Sequence, residues 1–168
     1  IRPGEDEVAT ALRLLDRVVR DYPRAFDVIG GDAKYADPRF FHWALDHRKH
    51  AMAVLKDERR DLLADAQGLF ADHPATAVRE GTVRRECWDM EGFTTWPQVC
   101  TPVRVIRSRE TRSIHRQLDG RWEDGLSEWT WVTTLPTSLA STGAAVRMGH
   151  ARWHIENEGF NELANRWH

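Results

Sequence analysis

Between residues 5 and 70 the hydrophobic pattern switches repeatedly between a helical and a strand period, and this alternation most constrains the fold. Val8, Leu12, Leu14, Leu15, Val18 and Val19 recur at helical spacing over residues 5–21. Acids crowd the first turn of that segment, where the helix dipole favours them, and Tyr22-Pro23 ends it. The short apolar run from Phe26 to Gly30, closed by Gly30-Gly31, predicts a buried strand that delivers Asp32 at its carboxyl edge. Asp37-Pro38 reads as an N-cap followed by proline at the first helical position, opening a helix to near His47. Residues 51–55 predict a second buried strand. Residues 59–70 predict a helix with Leu62, Leu63, Ala66, Leu69 and Phe70 on its apolar face. Helix, strand, helix, strand, helix implies an α/β fold with a parallel sheet.

The period changes after residue 75. Val78, Val83, Cys87 and Trp88, then Val103, Val105, Ile106 and Ile114, predict antiparallel strands over residues 76–118. A turn is expected at 121–124 and a further strand at 129–135. Residues 142–166 read as a long helix with Ala145, Met148, Ile155, Phe160 and Leu163 as core candidates, which Gly149 and Gly159 weaken. Three segments result: residues 1–75 as the first part of an α/β core, 76–121 as a β-rich insertion, and 122–168 as the return to the core.

With 168 residues the chain has enough length to bury a core without disulfides or metal staples. Cys87 and Cys100 fit no zinc spacing and read as two reduced thiols. No run of 18 apolar residues spans a membrane, and the first residues have no apolar signal core. The expected location is cytoplasmic. The net charge of −2 argues against a simple duplex-DNA-binding module. The charge is uneven, however. Residues 76–116 carry 8 basic and 5 acidic side chains, whereas residues 117–168 carry 4 basic and 7 acidic.

Two places carry candidate chemistry. Asp32 follows a buried strand, at the edge where α/β folds place active sites; taken alone, a turn-capping role fits it better. Arg152 and Glu156 lie one helical turn apart and share a face; taken alone, this spacing fits a surface ion pair better. His150 and His154 are also one turn apart but lack a third zinc ligand.

The stretch Arg152-Trp153-His154-Ile155-Glu156, with Phe160 beyond it, resembles the signature helix of bacterial insertion-sequence transposases of the DDE type. That branch carries Tyr, two residues, Arg, three residues, Glu, six residues, Lys. The segment Gly31-Asp32-Ala33-Lys34-Tyr35-Ala36 resembles the stretch around the family's second catalytic aspartate. Residues 51–57 and 129–136 resemble the strands that follow it and that lead into the signature helix. Here Gly149 stands at the family's Tyr position and Leu163 or Ala164 at its Lys position.

The resemblance implies a ribonuclease H-like fold, incomplete in its first strands, with the β-rich insertion between Asp32 and Glu156. It implies that Asp32 and Glu156 are two of three carboxylates binding a pair of Mg²⁺ ions, with Mn²⁺ able to substitute. Such metals favour oxygen ligands and drive in-line displacement at a phosphodiester. Arg152 would contact phosphate or hold Glu156. The first catalytic aspartate of the family has no counterpart in this chain, so the segment alone is expected to lack full activity. The partners implied are DNA, as transposon ends and target, and a second copy of the protein, in a bacterial, nucleoid-associated setting. Arg104, Arg107, Arg109, Arg112 and Arg116 cluster within the insertion as candidates for DNA contact, with strand alternation splitting them between faces. Trp96 or Trp88 is a candidate to stack on an unstacked base, although core packing fits each of them better. The alternative reading is a non-catalytic transposase remnant acting as a DNA-binding or interaction module.

Overall fold

A computed structural model of the chain describes residues 4–81, 83–115 and 122–154. Its elements in chain order are α1 (Glu7–Asp21), β1 (Val28–Gly31), α2 (Pro38–Asp46), β2 (His50–Val54), α3 (Arg60–Ala71), β3 (Thr76–Glu80), β4 (Val83–Phe93), β5 (Val103–His115), β6 (Trp122–Thr133) and α4 (Thr142–His154). The first five elements match the predicted alternation. Local chemistry sets their ends. Asp6 caps α1 by accepting from the Ala9 amide, and Asp37 caps α2 by accepting from the Arg39 amide, with Pro38 at the first helical position.

The six strands form one mixed sheet in the order β1-β2-β6-β5-β4-β3. β1 and β2 are parallel, with Val28 opposite His50 and Gly31 opposite Ala53. All other pairings are antiparallel. Residues 76–115 therefore extend the sheet that β1 and β2 begin. β6 belongs to both parts: residues 122–133 pair with β5, and its end, Trp131 to Thr133, pairs with β2. The expected turn at 121–124 gives way to strand from Trp122 onward, with Trp122 already opposite His115.

The sheet has a helical layer on each side. On one face Ile29, Ala51, Ala53, Val103, Val105 and Val132 pack with side chains of α1, α2 and α3, including Phe40, Phe41, Leu62 and Phe70. On the other, Met52, Val54, Ile106 and Trp131 pack with Ala145 and Val146 of α4. The two residue sets alternate along each strand, as the pleat requires. Met148, expected in the core, is 41% exposed, because α4 turns Ala145 and Val146 to the sheet instead. The part of the expected helix beyond His154, with Ile155, Phe160 and Leu163, lies outside the described residues.

Candidate functional site

Asp32 stands immediately after β1, at the carboxyl end of the parallel pair. Its Oδ1 accepts from the Lys34 amide at 2.8 Å and so caps a short 3₁₀ turn, Ala33–Tyr35. Gly31 allows that turn to fold back on the strand: a Cβ there would meet the Tyr35 Cβ at 2.3 Å. Asp32 is half-buried, so the carboxylate caps a turn and faces solvent as well. Lys34 reaches away to Glu7 on α1, at 3.0 Å.

α4 lies across the face of the sheet opposite α1–α3. Thr142 at its start lies beside Asp89 and His150 lies beside Glu110, so it runs in the direction of β5 and of the parallel pair. Two polar clasps hold it. At its start, Thr142 donates to Asp89 at 2.6 Å. Asp89 also receives two N–H groups of Arg104, at 2.7 and 2.5 Å. Arg104 donates further to the carbonyls of Leu135 and Ala140, which lead into the helix. At its far end His150 Nε2 lies 2.6 Å from Glu110 Oε1. The same carboxylate oxygen receives Ser108 Oγ at 3.0 Å and Arg85 Nε at 3.1 Å. His150 packs edge-on against the stacked rings of Trp129 and Trp131. Burial pushes the Glu110 carboxyl upward, but the hydrogen bond and charge of His150, the charge of Arg85 and the Ser108 hydroxyl outweigh it and hold the group down at about 2.

Gly149 has a physical reason to be glycine. A Cβ at this position would meet the Trp131 indole at 2.4 Å, so the ring occupies the space a side chain would need.

The residues nominated from the sequence fall into three groups. Arg104 and Trp96 are 2% and 4% exposed, so neither presents a surface to DNA. Arg104 is held by Asp89, and Trp96 packs edge-on against Phe41 with the Arg59 guanidinium over its ring. Arg107 and Arg109 share the opposite face of β5. Both guanidiniums lie near the Trp88 ring, at 4.9 and 5.6 Å, and both pair with Glu128. Trp88 itself is fastened by donating to the His73 carbonyl. Arg112 is exposed, on the face that carries Glu110. Glu156 and Arg116 lie outside the described residues, and Arg152 is placed only as a residue of α4. His150, half of the possible zinc pair, is committed to Glu110.

The Glu110–His150 and Asp89–Arg104–Thr142 groups were not singled out from the sequence. The available signal was the period-two register of β5, which puts Arg104, Ser108 and Glu110 on one face with the apolar Ile106. Charge on an apolar stripe marks a buried network that must be satisfied from elsewhere. The two cysteines are free; Cys87 is buried beside Ser108, and Cys100 is exposed. Among the described residues, no group of three or more His, Cys, Asp or Glu is arranged to hold a metal, and no helix is long and apolar enough to cross a membrane. No family model matches this chain, and no curated protein matches it significantly.

Proposed function

We propose that this chain is part of the catalytic domain of a DNA transposase, ribonuclease H-like in fold, which cuts and joins DNA strands with divalent metal ions. The observation that carries the reading is the position of Asp32 at the carboxyl end of a parallel strand pair, the edge at which α/β sheets place their chemistry. The packing across the same sheet of α4, the helix that carries Arg152, agrees with it.

Asp32 suits a hard divalent cation: it is a carboxylate, half-exposed, with one oxygen engaged only by a backbone amide. A single carboxylate does not hold Mg²⁺ by itself, so the reading assigns further ligation to Glu156 and to residues of the complete protein. The metal would supply activation of the attacking oxygen and stabilisation of the leaving one. Asp32 would supply negative charge and a fixed direction of approach, and Arg152 a cationic contact to phosphate. For DNA contact the reading keeps Arg107, Arg109 and Arg112 and drops Arg104 and Trp96, which are buried.

The experiment is a Mn²⁺ titration followed by calorimetry or electron paramagnetic resonance, on the wild type, Asp32→Asn and Glu156→Gln. Each substitution is expected to weaken Mn²⁺ binding by about tenfold or more, because each removes an anionic ligand. Equal affinity in all three proteins sinks the metal-dependent reading. Salt-sensitive DNA binding that persists in that case would favour the non-catalytic DNA-binding module.

A further inference from the structure

We infer that Glu110 and His150 form a positioning pair that fixes where the C-terminal half of α4 lies on the sheet. The catalytic meaning of this inference rests on the proposed function; its structural content does not.

α4 has little apolar grip. Among its residues with described side chains only Ala145 and Val146 are buried, and they are small. Gly143 and Gly149 add no side chain, and Met148 points outward. Burial of two such residues stabilises by an amount comparable to one large core side chain, and the hydrophobic effect does not specify direction. Gly149 lets the helix backbone rest against the Trp131 ring, where a Cβ would meet it at 2.4 Å, but that contact carries no hydrogen bond. Directional contacts are needed to set its place, and they occur at its two ends.

At the start, Thr142 is tied to Asp89, which Arg104 holds. Further along, His150 makes the hydrogen bond from helix to sheet, to Glu110 on β5. The acceptor is preorganised. Ser108 and Arg85 converge on the same oxygen from β5 and β4, so the carboxylate has one orientation before the helix docks. Trp129 and Trp131 flank the imidazole and hold its plane. Glu110 is a carboxylate acceptor, so His150 donates to it from Nε2. Arg152 follows two residues later on the same helix. On the proposed function, a helix that slips by a fraction of a turn would shift Arg152 relative to Asp32. Displacements of about 1 Å are enough to cost catalysis heavily.

The test combines hydrogen exchange with DNA cleavage, using His150→Leu, which lacks a donor, and His150→Gln, which keeps an N–H. His150→Leu is expected to speed exchange of the α4 amides by about tenfold while leaving α2 and β2 protected as before, and His150→Gln to restore most of that protection. Where cleavage of transposon-end DNA is measurable, kcat is expected to fall in His150→Leu with KM for DNA unchanged, and to recover in His150→Gln. Unchanged α4 exchange in His150→Leu, equal loosening of the whole sheet, or no recovery in His150→Gln overturns the inference. If His150→Leu does not fold, the wild type decides: an imidazole Nε2 proton that exchanges slowly on nitrogen-15 spectra supports the pair, and a proton on Nδ1 instead overturns it. Localised α4 loosening in a protein that cleaves no DNA leaves the positioning pair standing and removes only the transposase reading.

Discussion

The two faces of the sheet are closed by different physics. α1, α2 and α3 cover one face with large apolar side chains: Phe40, Phe41, Leu62 and Phe70 are all nearly inaccessible. α4 covers the other with Ala145 and Val146, and is located by charged and hydrogen-bonded groups. Apolar burial supplies most of the free energy of folding but accepts many arrangements. Buried polar contacts add less net stability, cost much when half-broken, and specify one arrangement. The first face therefore carries stability and the second carries position.

Four measurements sharpen this contrast, in descending order of expected effect. Phe41→Ala, on the apolar face, is expected to cost about 3–5 kcal/mol in urea unfolding, because the ring is fully buried between α2 and the sheet. Arg104→Met is expected to cost roughly 3 kcal/mol or somewhat more, since it leaves Asp89 buried and without its main partner. A loss of less than about 1 kcal/mol there would mean that the start of α4 is held by something other than this pair. Gly149→Ala should cost about 1–3 kcal/mol by driving a methyl into the Trp131 ring. Gly143→Ala on the same helix should be neutral or stabilising by up to about 1 kcal/mol, because its nearest neighbour is the flexible end of Arg147 at 3.6 Å. Equal effects of the two alanines would contradict the close helix–indole contact.

The last measurement is the acid limb of stability. The Glu110 carboxyl is held at about 2 in the folded protein, below its ordinary value of 4.5. Fewer protons bind to the folded state than to the unfolded chain in that window. The stabilisation from this group is therefore complete above 4.5 and is lost as the pH falls from 4.5 to about 2. Glu110→Gln should be less stable than the wild type at neutral pH, and the difference should shrink in acid. A constant difference across that range would show that the charge of Glu110 is not what holds His150.

Much of the first seventy residues was legible in the sequence because the signals there are local. Asp6 and Asp37 cap the helices they precede, and two short apolar runs, one closed by Gly30-Gly31 and one flanked by charged residues, become β1 and β2. The placement of Asp32 at a strand end followed from the same signals. Sheet order was not legible, since β6 slots between β5 and β2 through a pairing with β2 far apart in sequence. The arginines of β5 show the same limit. Composition groups Arg104 with Arg107 and Arg109 as candidates for DNA contact, but the pleat turns Arg104 under α4 and its neighbours to the other face. Trp96 packs in the core, as the better-fitting reading had it, but nothing local says that the loop between β4 and β5 folds down onto Phe41. Gly149 weakened the helix in the sequence, and only the Trp131 ring explains its place.

The short pairing between β2 and β6 has a kinetic consequence. Only Met52 to Val54 face Thr133 to Trp131, and the Thr133 hydroxyl that bonds the Ala51 carbonyl comes from 82 residues away. The two groups of strands it unites are built mainly from near neighbours in sequence: β1 with β2, and β3 through β6 as successive antiparallel partners. Closing a loop of that length costs entropy before the three opposed pairs give anything back. The β3–β6 meander is therefore expected to form before the join between β2 and β6. Substitutions at Val132, inside the join, should slow refolding, and those out on the β5–β6 hairpin should chiefly hasten unfolding.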